Sequence, residues 1–419
     1  MLSLSEARLN TINVHRHDLF YGFLKLGWNV TPNVIDAILE EYSSVILNRN
    51  QRRYIAVIFG DLIQRPVEKL IAITTNGEVP QYIYNPSKLT NRKILTVFDK
   101  LVAVGCLTHL PHDSLSGQRR SARYQINPEF HAALVAAAQP LHENIQSFDS
   151  GSSHSFIRFR HPIRRDESNS NKRLFIDPPY PVRREIKKKN EMLRRYNNEM
   201  YHWNVHLPDE TSVIPSPCYS NFIGNRTAIT GRIQGGFLNK FNSEQRSSLI
   251  ISDEDTVYLD FQGFNTRALY ALNGLQYDGD PYQIDNRSRE KVKALATVIL
   301  NNDNELSAKW AAIKNYKDNY PDDEDYTFDE VGEILQSFKA KHADVAGCFF
   351  QPSYGAKLMA LEAEVAFKVV DVFVSQNKAV LPIHDGFVVK VSDGALLAET
   401  MKQAYISVFN SHLPFITSE

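Results

Sequence analysis

The chain has 419 residues, 43% hydrophobic and 23% charged, with a formal net charge of −1. It is therefore neither a polycation nor a low-complexity chain, and it has the length and composition of a soluble globular protein of two or three domains. Three cysteines, Cys106, Cys218 and Cys348, are too scattered for a metal motif and cannot all pair, which fits a reducing cytoplasm. The opening Met1-Leu2-Ser3-Leu4-Ser5-Glu6 lacks a signal-peptide pattern. No apolar run approaches the roughly 18 residues a membrane span needs, so no membrane partner is expected.

Residues 1–140 read as a mainly helical unit. Val34, Ile35, Ile38, Leu39, Tyr42, Val45 and Ile46 recur at helical spacing. A later helix is predicted between Thr90 or Asn91, which can cap it, and Gly105, which can stop it. Two short strands, Leu107-Thr108-His109-Leu110 and Arg123-Tyr124-Gln125-Ile126, flank a polar loop from Asp113 to Arg120. Helix, short strand, basic loop, strand resembles the order of winged helix-turn-helix domains. That resemblance implies nucleic-acid contacts from Lys88, Arg92 and Lys93 on the helix and from Arg119, Arg120 and Arg123 on the wing. Without it, the same residues make a solvated basic face.

Residues 141–202 are expected to be a basic linker and helix. Gln146 to Ser155 is rich in Ser and Gly, and Asp177-Pro178-Pro179-Tyr180-Pro181 breaks regular structure. Between Gly151 and His202, 13 Lys and Arg face 6 Asp and Glu, a local net of +7 in a chain of net −1. A helix from Arg183 to Tyr201, with Lys187-Lys188-Lys189 and Arg194-Arg195, is a plausible clamp on a nucleic-acid backbone. Ion pairs from Glu185, Glu191 and Glu199 would instead make it a solvated helix.

Residues 203–419 alternate strands and helices, which makes the whole chain α+β. Strands are predicted near 256–260, 379–383 and 386–391, and helices over 264–274, 287–301, 328–342, 356–377 and 394–408. Two apolar strands each deliver a carboxylate at their tip, Asp260 after Val257-Tyr258-Leu259 and Asp385 after Ile383-His384. Aspartates also occur at strand ends as simple turn residues. As a pair they suit divalent metal, because Mg²⁺ is often held by one or two carboxylates plus substrate phosphates.

Three segments in order carry a further resemblance: Thr230-Gly231-Arg232, Asp260-Phe261-Gln262-Gly263-Phe264-Asn265-Thr266-Arg267, and Ile383-His384-Asp385-Gly386. Together they resemble the palm of family A DNA polymerases over residues 203–419, in a compact phage- and plasmid-type variant that also has Gly279-Asp280-Pro281-Tyr282. The resemblance implies that Asp260 and Asp385, with the Phe261 carbonyl, bind Mg²⁺ or Mn²⁺. It implies that His384 positions a primer end or orients Asp385, and that Arg232 and Arg267 hold a nucleic-acid backbone. Arg287-Ser288-Arg289-Glu290-Lys291-Val292-Lys293 contains R-x-x-x-K twice, Arg287 with Lys291 and Arg289 with Lys293. Residues four apart share a helix face, so either pair could clamp a triphosphate, with Arg289 and Lys293 preferred.

Departures are specific. Asn265 stands where the family has the glutamate that excludes the 2′-hydroxyl, and Gly386 stands where a third acid is usual. The family's Tyr-Gly after the fingers lysine is replaced by Leu300-Asn301-Asn302, and Tyr354-Gly355 is too distant in sequence to be equated with it. The resemblance therefore implies a template-directed nucleotidyltransferase acting on a DNA, or RNA, primer-template with nucleoside triphosphates. It suggests a setting such as phage or mobile-element replication. Two alternatives stand: a single-subunit RNA polymerase or primase, and a non-catalytic DNA-binding protein with an inactive palm.

Overall fold

The computed structural model describes residues 21–22, 28–42, 48–65, 67, 70–73, 90–110, 122–139, 145–147, 156–166, 169–176, 184–209, 215–223, 230–237, 241, 243–246, 248–284, 286–323, 325–410 and 416–418. In chain order the N-terminal elements are β1 (Tyr21–Gly22), β2 (Trp28–Val30), α1 (Pro32–Glu41), α2 (Arg49–Ile63), β3 (Leu70–Ile73), α3 (Asn91–Ala103), β4 (Leu107–Leu110), β5 (Ala122–Ile126), α4 (Pro128–Ala137) and β6 (Ile145–Ser147). Strands order as β1-β3-β5-β4, and β2 pairs separately with β6. Helix α2 starts in a reciprocal cap: Asn48 Oδ1 accepts from Gln51 N at 2.9 Å, and Asn48 N donates to Gln51 Oε1 at 3.1 Å. Ile55, Phe59 and Leu62 of α2, Val97 and Leu101 of α3, and Ile71 of β3 are all buried, so the helices close over one face of this sheet.

Within the stretch expected as a linker, the described residues include strands. That stretch contributes β7 (Ile157–Asp166) and β8 (Asn169–Ile176), followed by α5 (Arg184–Glu199). Ile157-Arg158-Phe159-Arg160 alternates apolar and basic residues with period two, and Ile157 and Phe159 are buried. Next come β9 (Val205–His206), β10 (Ser216–Ile223), β11 (Thr230–Gly236) and the short α6 (Ser243–Arg246). Strands β11-β10-β7-β8 form a second four-stranded sheet, with β10 parallel to β7. Helix α5 fastens it down. Asn190 Oδ1 accepts from Phe156 N at 2.7 Å, and the Asn197 amide bonds both N and O of Cys218, at 2.7 and 2.9 Å.

The remaining elements are β12 (Ile250–Ile251), β13 (Glu254–Phe261), α7 (Phe264–Leu272), α8 (Arg289–Ile299), α9 (Glu305–Asn319), α10 (Phe328–Lys341), α11 (Pro352–Ser375), β14 (Leu381–Ile383), β15 (Gly386–Lys390), α12 (Gly394–Phe409) and β16 (Ile416–Ser418). The third sheet runs β14-β15-β13-β12-β9, and β16 also pairs with β13. Strand β13 is its centre. Residues 256–259 pair with β15, while 254–255 pair with β12 and 259–261 with β16. Helices α11 and α12 bury Val369, Val370, Phe373, Leu397 and Met401. Helix α5 docks on α11 through Lys189–Glu364 and through Arg195–Asp371 at 2.6 Å. Two bases of the expected backbone clamp are thus neutralised within the protein.

Candidate active site

Strand pairing brings the two aspartates together. Leu259 lies opposite Phe387, so the next position, Asp260, falls opposite Gly386, the residue that follows Asp385. Neighbouring strands are about 4.8 Å apart, so the two carboxylates sit at adjacent tips of one sheet. Asp260 Oδ1 accepts from Phe261 N at 2.8 Å, and the Phe261 ring is buried against Phe264 and Tyr405. His384-Asp385 is the two-residue turn of the β14–β15 hairpin, closed by the Ile383–Gly386 pair. His384 has φ +60°, a left-handed conformation that costs a residue with a Cβ but is seen in tight hairpin turns at functional sites. Gly386 is required where it stands: a Cβ there would collide with the Tyr258 ring and hydroxyl. Tyr258 therefore occupies the space that a third acid would need.

Charges from four further elements converge on this tip. The Asp385 carboxyl is held above its ordinary value by burial, against the pull of its own backbone hydrogen bond, Arg232 and Lys293. His384 is exposed at the surface, yet the protein around it removes part of its hydration, and with Arg232 and Arg246 this lowers its pKa. Arg232 of β11 pairs through Nη2 with Glu362 of α11, a residue only 2% exposed. Burial pushes Glu362 up to about 7, opposed by Arg232 and reinforced by Asp385. Glu362 Oε1 and Arg232 Nε are both buried without a hydrogen-bond partner. Glu362 was not foreseen: a lone acid in an apolar helix pattern gives no signal.

The two R-x-x-x-K pairs diverge. Lys291 is buried and donates to Glu330 at 2.9 and 3.0 Å and to Asp325 O at 3.2 Å; Arg287 pairs with Glu333 at 2.8 Å. Both are turned toward α10. Lys293 is exposed and its charge acts on Asp385, while Arg289 pairs with Asp280 at 2.6 Å beside the Tyr282 ring. Tyr282 is hydrogen-bonded to Thr266 and feels the Asp385 charge, so the Gly279–Tyr282 loop lines the same site.

Arg267 is buried and holds that loop from inside, donating to the carbonyls of Gln262 at 2.8 Å, Tyr277 at 2.6 Å and Gly279 at 2.6 Å. His342 helps. Its Nε2–H donates to Pro281 O at 2.9 Å, which leaves Nδ1 to accept from the Tyr270 hydroxyl at 3.1 Å. Asn265 is half-buried in the first turn of α7. Tyr354-Gly355, distant in sequence from α8, returns to the end of that helix in space: a Cβ on Gly355 would collide with Asn301 Oδ1 and with Leu300 O. Arg92 and Lys93 are exposed in the first turn of α3, with Lys93 Nζ 5.8 Å from the Tyr54 ring centre, and Arg123 lies half-buried on β5. Lys88, Arg119 and Arg120 lie outside the described residues.

Among the described residues no group of three or more His, Cys, Asp or Glu side chains is placed to hold a metal ion by itself. Two carboxylates at adjacent strand tips nonetheless match the oxygen donors of a hard cation whose shell is completed by water and phosphate.

No family model and no curated protein matches the chain. A solved structure similar to it is the POL domain of Pol1 from M. smegmatis, in complex with DNA primer-template and dNTP. The TM-score is 0.29 and the identity 10%, covering 56% of this chain and 51% of that one. The chain thus matches about half the length of that polymerase chain.

Proposed function

We propose that the chain is a template-directed nucleotidyltransferase, joining a nucleoside triphosphate to a nucleic-acid 3′-hydroxyl. The observation that carries this reading is the placement of Asp260 and Asp385 on neighbouring strand tips, with Arg232, Arg246 and Lys293 acting on the same hairpin turn. Asp260, Asp385 and the Phe261 carbonyl would hold Mg²⁺ or Mn²⁺. That cation would supply charge neutralisation on the triphosphate and a lowered pKa for the attacking hydroxyl. Lys293 and Arg289 bind the incoming phosphates, with Asp280 holding the Arg289 fork in place. His384, with its depressed pKa, is neutral at pH 7 and can take a hydrogen bond at the 3′ end or orient Asp385. Arg232 holds the backbone beside it.

The N-terminal order α1, α2, β3, α3, β4, β5, with β3-β5-β4 pairing, supports a winged-helix reading of that region. Arg92, Lys93 and Arg123 would then contact DNA there. Asn265 in place of an acid leaves ribose acceptable, so an RNA polymerase or primase is the close variant. A binding protein with an inert palm is favoured by Gly386 and by the Tyr258 ring that fills the third acid's place.

Primer extension decides between them, using labelled primer-template, Mg²⁺ or Mn²⁺, and dNTPs or NTPs in separate reactions. Asp260→Asn and Asp385→Asn should each lower extension by about 10³-fold or more, since several kcal/mol of transition-state stabilisation is removed. Absence of extension by the unaltered protein under every condition would overturn the enzyme reading.

A further inference from the structure

A cavity of about 370 Å³ lies at the end of the third sheet opposite the aspartate tips. Glu254 is in its wall at the start of β13, and Asp260 is near the other end of that strand, roughly 20 Å away at about 3.4 Å per residue. Lys390 ends β15, Asn377 and Lys378 come from the link between α11 and β14, and Glu199 and Trp203 come from the end of α5 and the turn after it. Part of the charge here is satisfied within the protein. Lys378 pairs with Asp393, and Glu254 Oε1 accepts from Ser392 N at 2.8 Å. Two groups are left over. Glu199 and Lys390 are half-buried in the wall, and among the described residues neither side chain makes a hydrogen bond or an ion pair, with each other or with another group. The backbone beside the cavity is strained as well. Ser252 and Asp253, the two-residue turn of the β12–β13 hairpin, have φ +49° and +63°, and Asn377 has φ +54°. Left-handed residues with a Cβ cost free energy and cluster at ligand sites.

We propose that this cavity binds a small zwitterion of the α-amino acid class. The ligand's ammonium meets Glu199 and its carboxylate meets Lys390, so both half-buried charges gain a partner at once. Ser252, Asn377 and Ser392 offer hydroxyl and amide groups along the wall, and the Trp203 indole gives it an apolar patch. The volume is at the small end of ligand pockets. Charge argues against other occupants. Lysines and acids alone give the lining a net of −1, from Lys378 and Lys390 against Glu199, Glu254 and Asp393, so a triphosphate or a nucleic-acid strand is repelled. Among the described residues no cluster of acids or histidines is placed to cage a bare cation. The proposal is independent of the nucleotidyl-transfer reading, although β13 and β15 run from this cavity to the two aspartates.

The test is calorimetric titration of the full chain, without nucleotide or nucleic acid, by the common α-amino acids one at a time. At least one should bind, raise the unfolding temperature and shift the tryptophan emission. Removing either charge from that amino acid, as its decarboxylated amine or its deaminated acid, should weaken binding by about tenfold or more. Glu199→Gln and Lys390→Gln should each weaken the intact amino acid to a similar extent. The analogue series uses the unaltered protein, so a variant that misfolds leaves the test standing. Trp203→Phe should abolish the emission shift, which separates this wall from Trp28 and Trp310. Failure of every amino acid to bind at about 10 mM overturns the proposal. So does equal binding of inorganic phosphate or a simple alkylamine, unchanged binding in either folded charge variant, or an emission shift that survives in Trp203→Phe.

Discussion

Residues 287–293 carry two copies of one motif, offset by two positions, and the fold gives them different work. Arg287 and Lys291 are turned toward α10, where Glu333 and Glu330 neutralise them; Lys291 also lies 5.6 Å from the Tyr326 ring centre. Arg289 pairs with Asp280 at 2.6 Å, and Lys293, exposed, acts on Asp385. Between Lys291 and Lys293, both on α8, an offset of two turns the side chain by about 200°, nearly to the opposite face. The same motif thus yields a buried lysine braced by an acid in one copy and an exposed lysine whose charge acts on Asp385 in the other.

The largest effect expected from breaking this contrast is on stability. Lys291→Ala removes a buried ammonium and leaves Glu330 and the Asp325 carbonyl without it, and should cost about 3 kcal/mol in denaturant unfolding. Lys293→Ala is exposed and should change stability by less than about 0.5 kcal/mol, while weakening nucleotide use in extension assays. If both variants melt alike, the division of labour is wrong.

Next in size is a pH effect at the tip itself. Glu362 has a folded pKa near 7, above the ordinary 4.5. The native state therefore binds more protons than the unfolded one between those values, and Glu362 lowers stability as pH rises from 4.5 through 7. The loss is on the order of 1–3 kcal/mol, and unfolding midpoints at pH 5 and pH 8 should differ less in Glu362→Gln than in the parent.

The smallest effect concerns the turn. His384→Gly relieves the left-handed strain at φ +60° but loosens the unfolded chain, so stability should change by no more than about 1 kcal/mol. Extension should fall regardless, which separates the ring's role from the turn's.

Much of this arrangement was readable in advance. The β13 and β15 strands and their aspartate tips follow from apolar runs ending in a carboxylate, and helices α7, α8, α10, α11 and α12 follow from spacing, each within a few residues of its observed bounds. Helix α9 was missed because its buried stripe is Ala308, Ala312 and Tyr316, where small side chains weaken the apolar signal. Strands β10 and β11 were missed because glycines and polar residues alternate with few large apolar ones, as in Thr230-Gly231-Arg232-Ile233-Gln234-Gly235-Gly236. The partners of Arg267 and the place of Glu362 were not legible for one reason: a charged residue's partner is set by tertiary packing, so sequence reveals the charge and conceals what satisfies it.

Strand β16 pairs with β13 at Leu259, Asp260 and Phe261, through Ser418, Thr417 and Ile416. A nascent chain therefore cannot complete the strand beneath its first aspartate until residue 418 has left the ribosome. Until then that edge of β13 lies open to other strands. Synthesis that stalls before residue 416 would leave the third sheet with an unfinished centre and an adhesive edge.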